Sequence, residues 1–143
     1  MQATQQDSEM VILFAEGIKE ITVFWEKSLD RLVCIPRNKG TRTRALNDFV
    51  SLCLEQQDPD TLGFQLAAFS HFVPRIWSML GRAEEERISL CEALHYYEAL
   101  TLGGNAKRSV NEVEFQLGHL RDLRDRFGHV TILQPDFART IAL

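Results

Sequence analysis

The segment from residue 62 to 80 constrains the fold most, because apolar residues cover nearly its whole circumference when it is drawn as a helix. A helix that is apolar all round is normally buried inside a domain. Residues 58–60, Asp-Pro-Asp, have the features of a helix start: a capping carboxylate, a proline and a further acid. We therefore predict a central core helix over 62–80. Pro74 should kink it, because proline cannot donate a hydrogen bond to the Ser70 carbonyl.

Four other segments carry apolar residues three and four positions apart, the spacing of one face of a helix. The predicted helices run from Ser8 to about Ile35, from about Leu46 to Gln57, from about Glu84 to Leu102 and from Ser109 to Phe127. Ser109 and Glu112 have the form of a capping box, and Gly128 stands where a left-handed residue often ends a helix. Residues 130–133 are expected to be extended or irregular.

The predicted fold class is all-α, a single domain (1–143) built as a bundle of about five helices.

Composition limits the class of protein. Hydrophobic residues make up 45% of the chain and charged residues 25%, which is typical of a globular domain and argues against disorder. Cys34, Cys53 and Cys91 are an odd number without metal-ligand spacing, so we expect free thiols and neither a metal nor a cofactor. The net charge of −4 disfavours a broad nucleic-acid or membrane-binding surface. The amino terminus lacks the pattern of a secretory signal, so the expected compartment is the cytoplasm.

Two features are candidates for binding. The segment from residue 37 to 44 is the one basic cluster; its cations are Arg37, Lys39, Arg42 and Arg44. It could contact RNA or phosphate, although a solvated turn is the alternative. Phe24 and Trp25 would lie about 100° apart on the first predicted helix. A single core stripe cannot easily bury both, so one of them, with Trp25 as the candidate, should be available to a second copy of the chain.

The segment Arg124-Asp125-Arg126-Phe127-Gly128-His129 carries the residue types best suited to chemistry. Arg124 falls on the apolar stripe of the last predicted helix. Because an unpaired buried charge is costly, an arginine at this position must reach either solvent or a partner. An arginine, a histidine and an oriented carboxylate can together hold a phosphodiester and exchange protons with it.

This segment resembles the Arg-x-x-x-x-His motif of the HEPN superfamily, a group of small helical-bundle proteins. Arg124, Asp125 and His129 fit the motif. The resemblance implies a metal-independent endoribonuclease that acts as a dimer. By this resemblance Arg124 would hold the scissile phosphate, His129 would act as an acid or base on the ribose 2′-oxygen or the leaving group, and Asp125 would position a partner.

The same residues also fit the charged end of a helix. Cations in a last turn interact favourably with the negative end of the helix dipole, and Asp122 with Arg126 and Arg121 with Asp125 are pairs of opposite sign four residues apart. The sequence therefore favours a non-enzymatic helical interaction or regulatory module that binds a protein partner or a second copy of itself. A HEPN-like ribonuclease with RNA as its substrate is the alternative.

Overall fold

The protein combines antiparallel sheets with helices. A computed structural model describes residues 10–12, 15–16, 21–36, 40–57, 60–79, 81, 87–103 and 109–133. Within these ranges the chain forms two antiparallel sheets and three helices. The predicted all-α bundle of about five helices is therefore wrong.

Most strands precede the helices along the chain. The strands are β1 (Met10–Ile12), β2 (Ala15–Glu16), β3 (Ile21–Glu26), β4 (Arg31–Pro36), β5 (Thr41–Ala45), β6 (Val50–Glu55), β7 (Thr61–Ala67), β8 (Arg87–Ser89) and β9 (Thr131–Leu133). The helices are α1 (Phe69–Met79), α2 (Leu90–Leu102) and α3 (Val110–Phe127). Six strands form the larger sheet in the order β1-β3-β4-β7-β6-β5, and three form the smaller sheet in the order β2-β9-β8.

The first predicted helix is replaced by strands. Residues 21–36 form the β3–β4 hairpin, and the parts of residues 8–20 that the structure describes form β1 and β2. Ile21 and Trp25 are four positions apart, which places them on one face of a strand as well as on one face of a helix. Phe24 and Trp25 are consecutive in a strand and so point to opposite faces: Trp25 is buried in the core, and Phe24 is half-buried on the other face of the sheet.

The second predicted helix is also wrong, because residues 41–55 form the β5–β6 hairpin. Asn47 organises the turn: its Oδ1 accepts hydrogen bonds from the backbone N–H groups of Phe49 (2.8 Å) and Val50 (2.9 Å). Asparagine stabilises turns by such bonds to its own backbone neighbourhood. Its Nδ2 donates to Thr101 Oγ1 at 3.1 Å and to Gln116 Oε1 at 3.4 Å, so the same side chain ties the turn to α2 and α3.

The segment 62–80 divides into a strand and a helix. Its first part belongs to β7, which lies between β4 and β6, and the helix α1 begins only at Phe69. In β7, the buried Phe64 and Leu66 alternate with the half-buried Gln65, which is the period of two of a strand with one face toward the core. Gly63 allows β7 to approach β4 closely, because a Cβ at that position would collide with the Cys34 carbonyl oxygen. The prediction of a helix is confirmed for residues 69–79, which contain Pro74, and wrong for the residues before them.

The last two helices are confirmed, with changes at their ends. α2 begins at Leu90 and has a complete capping box, in which Ser89 Oγ accepts from Glu92 N at 3.1 Å and Glu92 Oε1 accepts from Ser89 N at 3.0 Å. At the start of α3, Ser109 Oγ accepts from Glu112 N at 3.1 Å. Gly128 has φ −61°, so the predicted left-handed end is wrong. Residues 131–133, predicted to be extended or irregular, form β9.

The core lies between one face of the larger sheet and the helices. Alternate strand residues, including Trp25, Leu32 and Phe64, belong to the same buried cluster as residues of all three helices. The Phe64 and Phe127 rings lie 5.5 Å apart, centroid to centroid, and join β7 to the end of α3. The Tyr97 hydroxyl of α2 donates to the Ala67 carbonyl at 2.6 Å. This packing fixes α3 against the β5–β6–β7 side of the sheet, where the surface features described next are found.

Candidate functional site

Arg124 sits on α3 and is engaged by α2. Its Nη1 lies 3.0 Å from Glu98 Oε2 and 3.2 Å from His95 Nδ1. The Glu98 side chain is about one-tenth exposed, and that of Arg124 is less than one-third exposed. A carboxylate so far removed from water needs a nearby cation. The position of Arg124 on the apolar stripe is thus explained by an ion pair between two packed helices.

The other two residues of the motif are not brought together with Arg124. Asp125 and His129 are exposed, and no hydrogen bond or ion pair joins any two of the three within the part of the chain that the structure describes. The all-helical architecture that the HEPN resemblance implies is contradicted by the sheets. The ribonuclease activity itself stays a prediction.

The predicted charged helix end is found in part. Arg126 Nη1 lies 3.4 Å from Asp122 Oδ2, as the spacing of four predicts. Arg126 also donates through Nη2 to the Thr61 carbonyl at 2.8 Å, and its guanidinium lies 5.1 Å from the centroid of the Phe127 ring. Arg126 therefore links the last turn of α3 to the start of β7, which is a structural role.

The basic segment forms part of an edge strand. Arg37 and Lys39 lie outside the described residues, whereas Arg42 and Arg44 are exposed on β5 at one edge of the larger sheet. Charged side chains on an edge strand discourage pairing with other chains. Arg42 Nε donates to the Glu55 carbonyl at 3.2 Å. Arg44 pairs in register with the buried Leu52, so its side chain leaves the strand on the face that carries the helices.

Trp25 does not provide a surface for a partner. Its side chain is 4% exposed, and its Nε1 donates to Asp30 Oδ1 at 2.8 Å. The expectation that Trp25 binds another subunit is therefore wrong.

An apolar groove lies along α3, beside the last residue of α2. We call it the α2–α3 groove; it has a volume of about 600 Å³, and its walls include Leu102, Val110, Val113, Glu114, Leu117 and Arg121. Leu102 is 65% exposed and Val110 is 72% exposed, unusually high values for aliphatic side chains on neighbouring elements. The sequence pattern did not separate Leu102 and Val110 from the core, because Leu102 continues the apolar stripe of its predicted helix and Val110 lies three positions before Val113, the spacing of one helical face.

A second hollow lies between α3 and the β5–β6 hairpin. We call it the β5–α3 pocket; its volume is about 250 Å³, and it is lined by Arg44, Ala45, Leu46, Leu52, Leu54, Thr61, Glu112, Phe115, Gln116 and His119. Phe115, His119 and Thr61 also line a larger and more open hollow of about 780 Å³. The rings of Phe115 and His119 meet edge to face at 4.7 Å. The sequence pattern indicates only a capping role for Glu112, and it does not point to Phe115 or His119.

The cysteines are free, as predicted, and two of them are buried. Burial, and secondarily the neighbouring Cys53, raises the pKa of the Cys34 thiol to about 12, and burial also raises the pKa of Cys53. Both thiols therefore stay protonated near neutral pH, and only a thiolate is an effective nucleophile or metal ligand. Among the described residues, no group of three His, Cys, Asp or Glu side chains could hold a metal ion.

No helix in the described ranges is both long enough and apolar enough to cross a lipid bilayer. The chain matches no known protein family, no curated protein and no solved structure in the comparisons made with each.

Proposed function

We propose that the protein is a non-enzymatic interaction module of the cytoplasm that associates with a second copy of itself through the α2–α3 groove. The carrying observation is the exposure of Leu102 and Val110 beside the same groove. Contiguous exposed apolar surface of this kind is typical of protein interaction sites. Covering it would remove two aliphatic side chains from water, and each contributes roughly 1.5–3 kcal/mol when fully buried.

The charges beside the groove favour a second copy as its occupant. Glu114 and Arg121 are seven residues apart on α3, so they lie on one helix face two turns apart, with Leu117 between them. Both are exposed, and neither forms an ion pair with another residue of the described ranges. If two α3 helices pack antiparallel about a two-fold axis beside Leu117, each Glu114 faces the Arg121 of the other copy. Such a self-complementary arrangement is what a two-fold interface requires.

The test is a charge exchange across this interface. Glu114→Arg should place two cations opposite each other at both ends of the interface, and Arg121→Glu should place two anions there. Each variant alone should sediment as a monomer of about 16.4 kDa at a concentration where the natural chain sediments at twice that mass. An equimolar mixture of the two variants should recover the dimer, because every contact then joins opposite charges.

The matched control is Arg75→Glu, which makes the same charge change at an exposed position of α1, away from the groove. This variant should dimerise like the natural chain. The proposal is wrong if the natural chain is monomeric at high micromolar concentration, or if the mixture of Glu114→Arg and Arg121→Glu stays monomeric while each variant remains folded. Capture of a different protein by the groove of a monomeric chain would also count against it.

A further inference from the structure

The β5–α3 pocket has the walls of a site for a small ligand. Leu46, Leu52 and Leu54 from the hairpin provide an apolar side, and Leu52 and Leu54 are 4% and 3% exposed. Arg44 and Glu112 provide one positive and one negative group on the same lining. Pockets that combine an apolar lining with a few polar groups are the usual form of small-molecule sites.

The pocket is formed before any ligand arrives. The β5–β6 turn that carries Leu46 is closed by a backbone hydrogen bond from Leu46 N to the Val50 carbonyl at 2.8 Å. Asn47, through its bonds to Thr101 and Gln116, holds the same turn against α2 and α3. Because these contacts fix the distance between hairpin and helix, binding requires little ordering of the chain, which favours affinity for a small molecule.

The two charged groups remain available to a ligand. The Arg44 side chain is exposed and shares no hydrogen bond or ion pair with another residue in the described ranges, in contrast to that of Arg42, which donates to the Glu55 carbonyl. The carboxylate of Glu112 is likewise exposed and without such a partner there, since only the backbone N–H of this residue is used in capping. A guanidinium can hold a carboxylate through two parallel hydrogen bonds, and a carboxylate can accept from an ammonium.

We propose that the β5–α3 pocket binds a free α-amino acid with an apolar side chain. The ligand carboxylate contacts Arg44, its ammonium contacts Glu112, and its side chain packs against Leu46, Leu52 and Leu54. The volume of about 250 Å³ lies just below the range of roughly 300–1,000 Å³ for pockets that hold drug-sized ligands, so it suits a molecule of this size. Phe115, on the border with the larger hollow, covers one side of the ligand.

The experiment uses L-leucine and two compounds that each lack one of its charges: 4-methylpentanoate, without the amine, and 3-methylbutylamine, without the carboxylate. Binding to the full chain is followed by amide chemical shifts and by calorimetry. Leucine should bind more tightly than either compound. Arg44→Gln should weaken the binding of leucine and of 4-methylpentanoate by about tenfold or more, because a hydrogen bond to a charged group contributes that much to affinity. The binding of 3-methylbutylamine should not change. Glu112→Gln should weaken the binding of leucine and of 3-methylbutylamine, and it should not change the binding of 4-methylpentanoate.

Two controls make the result specific. Asp48→Asn removes an exposed carboxylate from the same hairpin turn without touching the pocket, and Arg75→Gln removes an exposed cation from α1; both should bind leucine as the natural chain does. Arg121→Glu should also bind leucine normally, which separates this inference from self-association. The proposal is overturned if millimolar leucine shifts no amide that lines the pocket, or if the two control variants lose as much affinity as Arg44→Gln.

Discussion

Asp30 joins the β3–β4 turn to the start of α1, and its removal should be among the most costly single changes in this protein. Its Oδ1 accepts hydrogen bonds from Ser70 N at 2.9 Å and from Trp25 Nε1 at 2.8 Å, and its Oδ2 accepts from Ser70 Oγ at 2.8 Å. The Asp30 carbonyl accepts from Phe69 N at 3.1 Å. Asp30 therefore caps α1 from a distant part of the chain. It does so with φ +50°, a left-handed conformation that aspartate and asparagine tolerate better than most residues.

The cost of Asp30→Ala can be estimated from three losses. The cap of a helix is worth about 1–2 kcal/mol, a hydrogen bond such as that from the Trp25 indole about 1 kcal/mol, and the left-handed conformation costs alanine about 1–2 kcal/mol. Because neighbouring effects are not fully additive, we expect a total of about 3–4 kcal/mol in the free energy of unfolding. Asp30→Asn should lose only about 1 kcal/mol, because it retains an acceptor oxygen and tolerates the same backbone conformation.

Urea unfolding followed by tryptophan fluorescence measures these differences. Asp30→Gly is the matched control for the backbone, since glycine adopts the left-handed conformation without strain but supplies no acceptor. It should be about 1 kcal/mol more stable than Asp30→Ala. An Asp30→Ala variant within about 1 kcal/mol of the natural chain would contradict this role of Asp30, because the cap alone would account for such a loss. An Asp30→Gly variant no more stable than Asp30→Ala would contradict the contribution assigned to the left-handed backbone.

Two further substitutions test other parts of the fold. Gly118→Ala, in the middle of α3, should raise the free energy of unfolding by about 0.5–1 kcal/mol, because a Cβ there meets no atom within 4 Å and alanine is the better helix former; a lower melting temperature would contradict this. Arg124→Met should lower the stability by about 1–3 kcal/mol by leaving the Glu98 carboxylate without its cation. Adding Glu98→Gln should recover most of that loss in denaturant titrations, and a double variant as unstable as Arg124→Met alone would refute the explanation.

The helices near the end of the chain could be predicted from local signals, and most of the strands before them could not be separated from helices by spacing alone. α3 was recognised because Ser109 caps it and Val113, Leu117 and Leu120 repeat along one side. In β3 the residues Ile21 and Trp25 also repeat at four, but four is an even number and therefore fits a strand equally well. The signal that distinguishes the two is residue type, since β3 consists mainly of β-branched and aromatic residues, which favour strands.

The residues of the β5–α3 pocket show why a binding site is harder to predict than a helix. In the sequence, Arg44 belongs to a basic segment and Glu112 to a helix cap, and the structure shows Glu112 N bonded to Ser109 Oγ in that cap. They line the same pocket only because β5 lies at the edge of the sheet and α3 packs against that side. The helix and strand patterns around Arg44 and Glu112 do not encode that contact; the turn at Asn47 does, because its side chain bonds to Thr101 of α2 and Gln116 of α3. A binding site formed by residues far apart in the sequence can therefore be predicted only when the contacts that bring its elements together, here those of Asn47, are known.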